Sequence, residues 1–71
     1  MNSTKRPSST TTLNAILRDV QRYDDYQERI AARLAPFAPS QQKQDLLDAL
    51  ARNAPKRAIL AAAVVWSVHT T

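Results

Sequence analysis

The sequence predicts an all-α fold in which three helices pack along one another and are completed by dimerisation, and three observations predict it. First, an apolar repeat runs through Leu13, Ile16, Val20, Tyr23, Gln27, Ile30, Leu34 and Phe37 in alternating steps of three and four. That is the seam of a helix packed along its whole length. Second, prolines beyond the tail occur only at positions 36, 39 and 55, where they divide the chain into helical stretches. Third, the final stretch from Ala58 to Val68 is apolar except for Ser67, the composition of an element with neighbours around it.

Residues 1–11 are predicted to form a disordered Ser/Thr-rich basic tail. They are too polar to bury anything, and Lys5-Arg6-Pro7-Ser8-Ser9 offers only a basic arm or a modification site. Residues 12–71 form a single helical domain. Its first helix spans about 12–35, with Thr11 or Thr12 accepting a hydrogen bond from a free amide of the first turn. At ~1.5 Å per residue such a helix is roughly 36 Å long, more than so short a chain can cover without folding back along it. Only Gln27 breaks the apolar seam, and single polar seam residues can fix register. Asp25 precedes Arg29 by four residues, the favourable order for a helical ion pair.

Pro36 and Pro39 end this helix, and Phe37 between them is expected to fold inward and close the core. The second helix, about 40–53, is capped by Ser40 and turns Leu46, Leu47 and Leu50 to one side, with Asp48 and Arg52 as a second ion pair. Asn53 tolerates the left-handed conformation that closes a helix, and Pro55 suits the first turn of the next. The third helix, about 55–68, brings in Ile59, Leu60, Val64, Val65, Trp66 and Val68. Its apolar run is shorter than the ~20 residues of a membrane span. A strand over Val64–Val68 is excluded because nothing in the sequence can pair with it.

At 71 residues, with no cysteine and one histidine, neither disulfides nor a structural zinc site can reinforce the core. Oligomerisation can. A homodimer is therefore expected, its core and interface drawn from Leu13, Ile16, Val20, Tyr23, Ile30, Leu34, Phe37 and the apolar residues of the two later helices, with Trp66 at or near the interface.

The same composition narrows function. Glycine is absent, so there is neither a phosphate-binding loop nor a dinucleotide fingerprint. The carboxylate pairs Asp24/Glu28 and Asp45/Asp48 have no histidine nearby to complete a helical-bundle metal site. His69 lies at the chain end, Ser67 has no base beside it, and Tyr23 and Tyr26 belong to or border the seam. No enzyme, cofactor or metal is expected.

A helix-turn-helix reading around Asn53-Ala54-Pro55 fails because the recognition helix would be the apolar one, whereas base edges require polar side chains. The formal charge is +4, which favours anionic partners. On the first helix Arg18, Arg22, Arg29 and Arg33 fall in one stripe. The leading expectation is a small, cytoplasmic, non-enzymatic regulatory or adaptor protein that binds an acidic protein surface through this stripe. Nucleic-acid binding by the same arginines is the alternative, its mark a steep loss of affinity with salt. Membrane-surface association through Lys56, Arg57 and the last helix ranks third.

Overall fold

A computed structural model describes residues 8–70. Among them are four α-helices, not three: α1 (Ser9–Arg22), α2 (Tyr26–Leu34), α3 (Gln41–Ala51) and α4 (Lys56–Thr70). Each packs on two others, in the closed order α1, α2, α3, α4 and back to α1.

The predicted long helix breaks at Tyr23, whose backbone is extended at φ −125° and ψ 139°. Asp24 and Asp25 follow, and both are poor helix formers. Their carboxylates oppose the negative carbonyl end of α1 and suit the positive amide end of α2. The break reverses the chain. Arg33 Nε lies 2.6 Å from Asp19 Oδ2, whereas in a straight helix fourteen residues would separate them by about 21 Å. Tyr26 takes the core place expected of Tyr23, and Tyr23 is left exposed.

α1 also starts earlier than expected. Ser8 is its cap, accepting at Oγ from the amide of Thr11 at 3.1 Å. Ser9 is buried and its hydroxyl donates to the carbonyl of Ser67 at 3.4 Å, which ties the start of α1 to the end of α4. Residues 9–11 are therefore helical, and the disorder expected of residues 1–7 lies outside the described residues.

The two later boundaries follow the residues predicted to set them. The amide of Phe37 donates to Leu34 O at 3.0 Å as the chain leaves α2. Ser40 caps α3 by accepting from the amide of Lys43 at 3.0 Å, and Lys43 Nζ bonds Phe37 O at 2.7 Å, holding the Pro36–Pro39 turn against α3. Asn53 adopts φ 58° and ends α3.

Gln27, expected to set register in the long seam, makes its contact within the chain. Its Nε2 donates to Asn53 Oδ1 at 2.8 Å, linking the start of α2 to the α3–α4 turn. Lys56 lies over the Tyr26 ring at 5.7 Å and braces the same end. Asn53→Ala is expected to cost about 1.5–3.5 kcal/mol, combining the left-handed backbone penalty with the lost hydrogen bond. Asn53→Gly should cost less. Urea denaturation midpoints of the two variants check this.

The core is built from Ile16, Val20, Tyr26, Ile30, Leu34, Phe37, Leu46, Leu50, Ile59 and Trp66, with Ala49, Ala54 and Ala63 filling between them. Leu13, Leu47 and Leu60 are partly buried against it. Trp66 is 0 % exposed and meets the Phe37 ring edge to face, centroids 4.9 Å apart. It lies inside the single chain and not on its surface. Val64, Val65 and Val68, expected in the core or the dimer interface, are exposed in the single chain. α4 is covered by α1 and α3 on one side only.

Candidate binding surfaces

The break divides the arginine stripe between two helices, and the four side chains end in three different situations. Arg33 and Asp19 form a bidentate pair, with Nε to Oδ2 at 2.6 Å and Nη2 to Oδ1 at 3.3 Å. Asp19 is 2 % exposed on its side chain, Arg33 41 %. The Arg33 pKa is held above its ordinary range, chiefly by the hydrogen bond to Asp19 and against the opposing effect of burial. Arg33 thus serves as the counter-ion of a buried acid.

Arg29 is engaged differently. Its Nε bonds Asp25 Oδ1 at 3.0 Å, the pair predicted from spacing, while its guanidinium stacks 3.6 Å from the Tyr23 ring centroid. The hydrogen bond to Asp25 raises its pKa above the usual value. This cluster closes the α1–α2 turn. Arg18 and Arg22 differ again: both are exposed on α1 and have no ion-pair partner among the described residues. One helical turn apart, they are what the stripe leaves for an external anion.

The sequence reading passed over Asp19, the residue that neutralises Arg33. Its position was the signal. Asp19 falls three residues after Ile16 and beside Val20, on the face that packs inward, and an acid there must find a partner.

The predicted Asp48–Arg52 pair does not form. Asp48 accepts instead from Gln44 Nε2 at 2.9 Å, and Asp45 from Gln41 Nε2 at 2.7 Å. Neutral amides orient these carboxylates without cancelling their charge. Among the described residues no group of three His, Cys, Asp or Glu side chains could hold a metal ion, and no helix is long and apolar enough to cross a membrane.

Two apolar surfaces complete the inventory. On α4, Ala61, Val64, Val65 and Val68 form an exposed stripe, with the valines 44 %, 49 % and 68 % exposed. Between α2 and α3 lies an open groove of about 250 Å³, lined by Gln27, Glu28, Ala31, Leu47, Leu50 and Ala51. Compared with protein-family models, curated proteins and solved structures, the chain matches none.

Proposed function

We propose that this protein is a small non-enzymatic regulatory or adaptor module that works by binding other proteins, and that it does so as a homodimer joined through α4. The observation that carries the reading is the valine stripe. The chain closes a core around Trp66 and Ile59, both 0 % exposed, yet leaves Val64, Val65 and Val68 in water.

A second copy fits this stripe. Ala61, Val64, Val65 and Val68 follow the i, i+3, i+4, i+7 spacing of a helix-pairing face. The stripe carries no charge, so a two-fold axis can set it against itself without repulsion. An antiparallel crossing also keeps the two Arg57 side chains apart and brings each towards the carbonyl end of the opposite α4, where a cation is favoured.

The strength of the contact follows from its size. Fully burying a valine is worth about 1.5–3 kcal/mol, and the three valines of each copy are about half exposed, so covering all six returns roughly 5–9 kcal/mol. The loss of translational and rotational freedom opposes it by about 4–15 kcal/mol. The dimer is accordingly weak and reversible.

Arg18 and Arg22 remain as the cationic contact for an acidic protein surface. Because Arg29 and Arg33 already face Asp25 and Asp19, too little of the stripe is left to track a nucleic-acid backbone, and a protein partner is the stronger reading.

Sedimentation velocity over a concentration series tests the assembly. The native chain should move from monomer towards dimer as concentration reaches the high micromolar range. Val65→Asp should stay monomeric with its helical circular dichroism intact, because Val65 is 49 % exposed and its replacement leaves the core alone. Trp66→Asp should unfold. A native chain that stays monomeric throughout contradicts the reading.

A further inference from the structure

We propose that the groove between α2 and α3 is a docking site for a basic amphipathic helix of a partner protein, which inserts an apolar side chain and sets a lysine or arginine against Glu28. The inference rests on the reading of the chain as a protein-binding module, and it names the chemistry of one partner.

Size points to a side chain. At about 250 Å³ the groove is far larger than the ~30 Å³ share of a water molecule. It lies below the ~300–1,000 Å³ of a typical small-molecule pocket. Leu50 forms its buried floor and Leu47 a half-buried wall. Ala31 and Ala51 are exposed lining residues on opposite helices, and with so little side chain at both positions a helix backbone can come close. The Gln27–Asn53 hydrogen bond ties the α2 side of the groove to the turn that follows α3, and the groove is already open in the single chain.

Charge points to a cation. Glu28 lines the groove, is exposed, and has no ion-pair partner among the described residues. Asp48, one turn before Ala51 on α3, accepts a hydrogen bond from the Gln44 amide and has no ion-pair partner among the described residues. On a chain of net charge +4 these two carboxylates, against the one guanidinium of Arg52 next to Ala51, give this face a local excess of negative charge. It repels phosphate and acidic peptides and attracts lysine or arginine flanking an apolar anchor.

The probe is a short synthetic peptide of leucine and lysine patterned as an amphipathic helix, with a leucine–glutamate peptide of the same pattern as its counterpart. Amide chemical shifts of the ¹⁵N-labelled chain are followed during titration. The lysine peptide is expected to move Ala31, Leu47 and Ala51. Ala51→Arg, which fills the groove from an exposed position, should weaken binding by about tenfold or more, as loss of a central anchor does. Glu28→Gln should weaken it several-fold. Should Ala51→Arg disturb the helical circular dichroism, Ala31→Arg makes the same test from the opposite wall.

The proposal is overturned if the shifts fall on Val64, Val65 and Val68 instead, if both arginine variants bind as the native chain does, or if the glutamate peptide binds equally well. It is overturned too if the groove amides shift with protein concentration alone, because a second copy would then be the occupant. A chain that dimerises but ignores the lysine peptide removes the groove proposal and leaves the α4 dimer standing. A monomeric chain that binds it does the reverse.

Discussion

Trp66→Ala is expected to leave the chain largely unfolded at room temperature. Truncating a fully buried tryptophan costs about 3–5 kcal/mol, and a core of this size seldom contributes more than about 3–5 kcal/mol in total. Trp66 is 0 % exposed, and its edge-to-face contact with Phe37 joins α4 to the turn between α2 and α3. Without it, neither the turn nor the centre of α4 has its main apolar neighbour. Trp66→Phe should be far milder. It keeps most of the ring, and the indole N–H it removes finds no acceptor among the described residues. Far-UV circular dichroism with urea titration separates the two outcomes; a cooperative native-like transition in Trp66→Ala would show that the core does not depend on this contact.

The second large effect is expected at Arg33. Arg33→Met strips the counter-ion from Asp19, a side chain only 2 % exposed. An unpaired buried charge of this kind costs about 3–5 kcal/mol when enclosed on both sides. Because Arg33 is itself 41 % exposed and water can reach the site, about 2–3 kcal/mol is the expectation. Asp19→Asn should cost less, since the freed guanidinium can turn to solvent, and Asp19→Leu combined with Arg33→Met should recover much of the loss.

The pH dependence of this cation has a definite sign. Arg33 has its pKa raised in the folded chain, so its contribution is fully present below the unfolded-state value. It is lost only as pH climbs through the raised one, far above neutrality. The stability difference between native and Arg33→Met should therefore stay constant from neutral to mildly alkaline solution.

These two sites also show what could be read from the residues alone. The inward positions of Ile16, Val20, Ile30, Leu34 and Phe37 follow directly from spacing, and the caps at Ser40 and Asn53 follow from backbone chemistry. The break at Tyr23 was hidden because the three-four repeat continues unbroken through it, whereas the residues that face inward across the break, Val20, Tyr26 and Ile30, step by six and four. Asp24-Asp25 and the inward Asp19 carried the contrary signal, but its meaning depends on Arg33 returning to meet Asp19, a tertiary fact.

The valines of α4 illustrate a different limit. A helix apolar all round contains no information about which side its neighbours cover. Only the closed ring of four helices determines that Ile59, Ala63 and Trp66 face inward and Val64, Val65 and Val68 outward. The arginines repeat the point: spacing put four in one stripe, and the reversal left two of them for an outside partner.

A core closed within one chain leaves the α4 stripe exposed, and the proposed meeting of two copies on that stripe is open to direct test. Isotope-filtered NOE spectroscopy on an equal mixture of ¹³C-labelled and unlabelled protein at millimolar concentration tests it most directly. Intermolecular contacts that involve the methyl groups of Val64, Val65 and Val68 and vanish in Val65→Asp are expected. The absence of intermolecular contacts, or their appearance at Arg18 and Arg22 with the valine methyls silent, would contradict it.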